Sequence, residues 1–161
     1  MTREEILEML VANTEELVHE IGIYLHAKLE DDEELSGPEI PVFVLWLWNI
    51  EVQNGGLCQF FVNDGEYAAL VPASLQTIGA DEYAALLCDF VEKHGIDLNE
   101  LSQFKIDFDS DEKDFSEYTD IYEQYPFDDF DEAFFNLYGS DPLEGHLADY
   151  IRKNIDTFIT A

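Results

Sequence analysis

Residues 38–53, with the sequence PEIPVFVLWLWNIEVQ, are the most apolar stretch of the chain and determine its fold. When this stretch is placed on a helix, the side chains of Phe43, Trp46 and Leu47 and their apolar neighbours cover most of the circumference. A helix that is apolar on nearly every side is a buried one. The stretch therefore predicts one central apolar helix with other helices packed around it.

The flanking sequence supplies the helices that would surround this one. Apolar residues recur at helical spacing, as in the series Leu17, Val18, Ile21 and Leu25, and no run alternates as a strand would. Helices are predicted over residues 4–11, 14–29, 38–53, 66–78, 81–93, 129–138 and 142–158, with Pro72 kinking or splitting the fourth. The expected fold class is all-α, a compact single-domain multi-helix bundle formed by residues 1–161.

The charge balance is the most unusual property of the composition. The chain has 37 Asp and Glu against 7 Lys and Arg, which gives a formal charge of -30. Nucleic acids and anionic membranes carry charge of the same sign, so neither is expected as a partner. The surface favours a basic protein partner, although acidity also serves solubility. Salt adaptation is a further alternative, but the 12 Phe argue against it, since salt-adapted surfaces keep few bulky apolar groups.

Acidic residues are concentrated in two segments. Residues 101–132 mix acids with aromatic side chains, which predicts a strip anchored to the core by its rings with its carboxylates held outward. Residues 30–34 form a second acidic run in a solvated loop. The candidate partner-binding residues are Asp107, Asp109, Asp111, Glu112, Asp114, Glu117, Asp120, Asp128, Asp129, Asp131 and Glu132 in the first segment and Asp31, Asp32, Glu33 and Glu34 in the second.

Sequence features of enzymes and metal proteins are weak in this chain. Residues 107–111 imitate the start of a calcium loop, but Glu112 and Tyr118 stand where an EF-hand needs Gly and Glu. The four histidines lack the spacing of helical zinc sites, and no nucleophile or phosphate-binding motif occurs. No catalytic residue, metal or cofactor is therefore expected, and the chain is not expected to be an enzyme. A paired-carboxylate site stays open, because 37 acids form many pairs.

Three features bear on location. Cys58 and Cys88 both lie in apolar stretches and are expected to be buried free thiols in a reducing compartment. The N-terminus lacks the basic region and apolar run of a signal peptide. The most apolar run, residues 42–50, is too short to span a bilayer. A cytoplasmic location is expected.

One local motif is distinctive, Glu51-x-x-Asn54-Gly55-Gly56-x-x-Gln59-Phe60-Phe61-x-Asn63. Its glycines predict the end of the central helix and a turn, because glycine tolerates φ values that a Cβ disfavours. A short aromatic segment over residues 57–62 follows, and the polar members are expected to hydrogen-bond the backbone exposed at the turn. We interpret the motif as structural; its members are Glu51, Asn54, Gly55, Gly56, Gln59, Phe60, Phe61 and Asn63.

This motif resembles the signature of a bacterial family of unknown function whose characterised member is a DMP-type DNA mimic protein. The similarity extends over about residues 42–91 and includes the Trp-bearing helix before the motif and the turn Ile78-Gly79-Ala80 after it. The resemblance implies an all-helical fold and a homodimer. It also implies a basic DNA-binding protein as partner, a helix-turn-helix transcription regulator that the mimic keeps from its operator. It implies no particular contact residue.

Charge and resemblance together predict a DNA mimic protein that binds the DNA-binding face of such a regulator and blocks its access to DNA. One alternative is a general acidic interaction module for another basic protein. A second alternative is an unrecognised enzyme. Competition between the chain and DNA would separate the mimic from the module, and a concave pocket with convergent polar groups would favour the enzyme.

Overall fold

The computed structural model describes residues 1–106 and 115–160. Helices make up most of these residues, and no strand occurs among them, which confirms the all-α fold class. The α-helices are α1 Arg3–Ala12, α2 Thr14–Glu30, α3 Glu39–Asp64, α4 Val71–Thr77, α5 Asp81–Lys93, α6 Phe115–Glu123, α7 Phe127–Ser140 and α8 Leu143–Lys153. Short 3₁₀ turns cover Gly65–Leu70, Ser102–Phe104 and Ile155–Thr157.

The central apolar helix is α3, as the sequence predicts. It packs against α2, α4, α7 and α8. Trp48 is fully buried in its first half. The Trp48 ring meets those of Tyr83, Phe130 and Phe134 at centroid distances of 6.4, 6.5 and 5.4 Å, all edge to face. Such aromatic contacts add to the free energy of burial, so this cluster joins α3, α5 and α7 into one core.

The course of the chain after Gln53 differs from the prediction. The glycine pair was expected to end the helix and a separate aromatic segment to follow, but α3 continues to Asp64 with a sharp break at Gly56. Gly56 has φ 85° and ψ 177°, while Gly55 has no positive φ. The backbone N–H of Leu57, which begins the second helical half, donates to Asp131 Oδ1 at 2.9 Å. The helix resumes because a carboxylate from α7 caps its new N-terminus.

Two other helix boundaries also differ from those predicted from the sequence. The predicted helix over residues 66–78 is split, since a 3₁₀ turn ends at Leu70 and α4 begins at Val71, just before Pro72. The last helix was predicted over residues 142–158, but α8 covers Leu143–Lys153, and the Asp141 carboxylate before it lies 2.7 Å from His146 Nε2.

Aromatic side chains anchor the described part of the acid-rich segment. Phe127 is fully buried at the start of α7. Its ring centroid lies 6.1, 6.0 and 5.7 Å from those of Phe61, Phe104 and Tyr125. The rings therefore fix α7 and the turn before it against the second half of α3, and Asp128, Asp129 and Glu132 remain exposed on α7 together with Phe135.

Candidate functional site

The candidate acids of the first segment divide into three groups. Asp120, Asp128, Asp129 and Glu132 lie on α6 and α7, and all four are exposed. Glu117 and Asp131 are partly buried. The remaining candidates, Asp107, Asp109, Asp111, Glu112 and Asp114, lie outside the described residues, as does the calcium-loop imitation at 107–111. The described surface acids of this segment are therefore those of α6 and α7.

Acids of α7 face acids of α5 across a shallow groove. Asp89 on α5 and Asp129 on α7 both line this groove, whose volume is about 170 Å³, together with Lys93. Glu92 stands three residues after Asp89, and Glu132 three residues after Asp129, so each pair shares a helix face with Cβ atoms about 5–6 Å apart. We define the α5–α7 acidic surface by its acids, Glu82, Asp89, Glu92, Asp128, Asp129 and Glu132.

The α5 acids are the members that sequence reasoning missed. Glu82, Asp89 and Glu92 are separated by apolar residues and form no dense run, so a search for dense acidic runs passes over them. The signal was present in the helical spacing, because Glu82 and Asp89 are seven residues apart and lie opposite the buried Ala84 and Leu87. Tertiary packing of α5 on α7 then places Asp89 on the same groove as Asp129, a predicted acid of α7.

Asp131 has a structural role that its neighbours lack. Its carboxylate accepts the backbone N–H of Leu57 and lies where a Cβ on Gly56 would meet it, 2.2 Å from Oδ2. Burial raises the pKa of Asp131 to about 6, and the Asp128 carboxylate adds to the effect, although the hydrogen bond from Leu57 opposes it. Asp131 therefore faces α3, and Asp128 accepts a hydrogen bond from the Tyr122 hydroxyl.

The second acidic run, Asp31 to Glu34, is exposed on a well-defined turn. Asp32 has φ 59°, in the left-handed region, and its backbone N–H donates to the Leu29 carbonyl at 3.1 Å. The N–H of Glu33 donates to the Lys28 carbonyl at 2.9 Å. These two bonds form the Schellman motif that ends many helices, here with Asp where glycine is usual. The carboxylates of this run are thus attached to a fixed backbone.

A buried ion pair holds the other side of the same turn. Lys28 Nζ donates to both carboxylate oxygens of Glu39, at 3.0 and 3.1 Å, and the Ser36 backbone N–H donates to Glu39 Oε2 at 2.7 Å. Burial opposes ionisation of Glu39, but these hydrogen bonds outweigh it and hold its pKa below the ordinary value. The pair joins the end of α2 to the start of α3, because its two residues belong to those helices.

The glycine motif forms a local network of side chains. Glu51 Oε2 accepts from Gln59 Nε2 at 2.9 Å and from Asn63 Nδ2 at 3.0 Å, which links the two halves of α3 across the break. These side chains were expected to bond the exposed backbone, and Asp131 takes that role at Leu57 instead. Phe60 and Phe61 are buried in the core, and Asn54 lines a cavity beside α2. The motif positions α7 against α3 through Asp131.

A further acid near the motif carries a raised pKa. Burial raises the pKa of Asp64 to about 6, and the nearby carboxylates of Glu51 and Glu66 act in the same direction.

Within residues 1–106 and 115–160, no group of three or more His, Cys, Asp and Glu side chains is arranged to hold a metal ion. In the same residues, no helix combines the length and the apolar composition that crossing a bilayer requires.

The comparison with protein families extends the resemblance seen in the sequence. The model of the DMP19-like protein family matches residues 33–154, a range that contains the glycine motif, all of α3 to α8 and the α5–α7 acidic surface. Curated proteins and solved structures gave no match. With a family match over most of its length, the chain belongs to the DMP19-like protein family.

Proposed function

We propose that this protein is a DNA mimic that occupies the DNA-binding face of a basic helix-turn-helix transcription regulator and so blocks its access to DNA. The observation that carries the proposal is the α5–α7 acidic surface, in which carboxylates stand on two packed helices of a chain whose net charge is -30. Membership of the DMP19-like family supports it. We propose in addition that the protein acts as a cytoplasmic homodimer and that its role is binding and not catalysis.

The spacing of the carboxylates suits a surface that normally receives phosphates. Asp89 and Glu92, and likewise Asp129 and Glu132, are helix neighbours whose Cβ atoms are about 5–6 Å apart. Packed helices lie about 8–10 Å apart, so the two pairs form a two-dimensional array of charge. Double-stranded DNA also presents its phosphates in parallel rows, with one charge per ~1.7 Å of axis. Carboxylates reproduce phosphate contacts and not base edges, so the mimic competes for the contacts that position DNA.

The core under this surface limits the entropic cost of binding. Phe90, Phe130 and Phe134 are buried on the inner faces of α5 and α7, and the ring centroids of Phe90 and Phe130 lie 5.5 Å apart. Carboxylates on such helices need little ordering when a partner binds, whereas an acidic coil would lose chain entropy. Arg3, Lys28 and Arg152 each contact an acid elsewhere on the chain, so within the groove Lys93 is the basic side chain that stands among the six acids of the surface.

The test is a gel shift with the regulator, its operator DNA and increasing amounts of this protein. The regulator can be isolated from host lysate on immobilised protein and eluted with graded salt. We expect free DNA to be released as the protein is added, and higher salt to weaken the protein–regulator complex, as it weakens DNA complexes. A ternary complex of protein, regulator and DNA would refute mimicry and favour the general interaction module.

Charge-reversal variants locate the contact surface. The triple variant Asp89→Lys, Asp129→Lys and Glu132→Lys should bind the regulator much more weakly than the native protein does. The matched control reverses three exposed acids of α1 and α2, Glu4, Glu8 and Glu20, and so has the same net charge. Equal loss of binding in both triple variants would show that net charge alone, and not the α5–α7 acidic surface, attracts the partner.

A further inference from the structure

Asp131 faces α3, and it stands beside an acid of α7 that faces solvent. Asp128, three residues earlier on the helix, is exposed and accepts a hydrogen bond from the Tyr122 hydroxyl. Side chains at this spacing are neighbours on a helix, with Cβ atoms about 5–6 Å apart. The two carboxylates repel each other, and this repulsion adds to the effect of burial in raising the pKa of Asp131. A change of charge at Asp128 therefore acts on Asp131.

Asp131 is also the contact through which α7 reaches both sides of the break in α3. Its Oδ1 accepts the Leu57 backbone N–H at 2.9 Å, and its Oδ2 lies against Gly56, where a Cβ would be 2.2 Å away. The φ of 85° at Gly56 turns the chain at this point. Leu57 is fully buried and begins the second half of α3, whose N-terminal end attracts negative charge. The Asp131 carboxylate thus connects the acidic face of α7 with the bend in the central helix.

The other titratable groups that face Asp131 are uncharged at neutral pH. Cys58 faces it from α3, and burial raises the pKa of the Cys58 thiol to about 11. Tyr118 and Tyr122 face it from α6, and the pKa of each hydroxyl lies above its ordinary value, for Tyr118 because of burial and for Tyr122 because it donates to Asp128. Among the described residues, Asp128 is therefore the charged side chain that acts on Asp131, and its charge has the same sign.

We propose that Asp131 couples the partner-binding face of α7 to the break in α3, so that a cation bound at Asp128 strengthens the cap on Leu57. Without the cation, repulsion favours an open form in which the Asp131 carboxylate leaves Leu57 for solvent, where water screens the two charges. A cation at Asp128 offsets this repulsion and favours the capped form. Linkage requires the reverse as well, so the capped form binds the cation more tightly. The coupling rests on the proposed function, because the partner's basic groups are the cations that reach Asp128.

The experiment places the cation in the protein itself, as Asp128→Lys, and needs no regulator. NMR measures hydrogen exchange of the Leu57 amide at neutral pH, above the pKa of about 6 for Asp131. We expect exchange about three-fold slower than in the native protein, because a charge-assisted hydrogen bond is strengthened. Glu20→Lys, on the exposed face of α2, makes the same change in net charge and should leave Leu57 exchange unchanged. Equal slowing in both variants, or no slowing in Asp128→Lys, would overturn the proposal.

The Asp131→Asn background tests whether the effect passes through this carboxylate. The amide oxygen of Asn can still accept the Leu57 N–H, but it carries no charge on which position 128 can act. In this background Asp128→Lys should leave Leu57 exchange unchanged, and slowing of the original size would refute the coupling. If Asp128→Lys does not fold, Asp128→Asn removes the repulsion and keeps an acceptor for the Tyr122 hydroxyl. It should slow Leu57 exchange to a smaller extent, and unchanged exchange in this variant would refute the coupling too.

A direct titration of Asp131 separates the coupling from DNA mimicry. Carboxyl carbon NMR follows its pKa, which is about 6 in the native protein. Asp128→Lys should lower this pKa by about 1, as for an Asp that gains a neighbouring cation. An unchanged pKa would overturn the coupling even where the regulator binds. Failure of the regulator assay together with a lowered pKa and slower Leu57 exchange would refute mimicry and support the coupling.

Discussion

Gly56→Ala should destabilise the protein far more than an ordinary glycine substitution does. The φ of 85° and ψ of 177° at Gly56 fall in a region that is almost exclusive to glycine, and an L-residue there costs about 1–3 kcal/mol. The new Cβ would also lie 2.2 Å from Asp131 Oδ2 and displace the carboxylate that caps Leu57. Loss of that charged hydrogen bond adds about 1.5–3 kcal/mol, so the expected total is about 2.5–6 kcal/mol.

Gly79→Ala is the matched control. Gly79 also has a positive φ, 81°, but no heavy atom lies within 4 Å of the position its Cβ would take. Its substitution should therefore cost about 1 kcal/mol, the backbone strain alone. Urea unfolding followed by circular dichroism measures the free energy of unfolding for both variants.

The Asp131→Ala background tests the contact itself. Without the carboxylate, the Cβ that Gly56→Ala introduces has no oxygen to displace, so the double variant should cost less than the sum of the two single variants. Two results would refute the reasoning. One is a Gly56→Ala cost no larger than that of Gly79→Ala, and the other is strict additivity with Asp131→Ala.

Two further predictions concern acids. Asp32→Gly should raise the free energy of unfolding by about 0.5–1 kcal/mol, because it relieves a left-handed φ. The control Asp31→Gly removes the same charge at an ordinary φ of -86° and should lower the free energy of unfolding. Equal effects of the two variants in urea unfolding would indicate relief of charge repulsion instead. Burial raises the pKa of Asp131 from its ordinary value of 3.8 to about 6, so the folded state binds this proton more tightly than the unfolded state does. The stability that the proton contributes should therefore be lost as pH rises from about 4 through 6. Asp131→Asn should therefore reduce the difference in melting temperature between about pH 5 and about pH 7.5, whereas exposed Asp129→Asn should preserve it.

The helices were predictable where apolar periodicity is strong and local. The central helix and the helix over residues 81–93 follow directly from side chains such as Trp48, Tyr83 and Leu87, which are buried on one core. The break at Gly56 was partly predictable, because two consecutive glycines indicate a special backbone conformation. That α3 resumes after it was not, since the capping carboxylate comes from Asp131, 74 residues away.

The acidic surface was predictable in kind and only partly in place. Dense runs led to Asp128, Asp129 and Glu132, which lie on the outer face of α7, but the same rule selected Asp131, which faces inward. Asp89 was passed over because its contribution depends on how α5 packs on α7. The cavity between α2, α3 and α8 has no sequence signature, since Asn49 and Glu144, which both line it, meet across 95 residues.

The capped break in α3 has a consequence for the order of folding. The first half of α3 packs on α2 through contacts between neighbouring helices, which close short loops and form early. The second half gains its cap only when a residue 74 positions later returns to Leu57, so its full stability waits for closure of a long loop. Hydrogen exchange should therefore find the α2–α3 hairpin protected before Leu57 and its successors. We therefore expect the two halves of α3, which meet at the break at Gly56 in the folded protein, to form at different times.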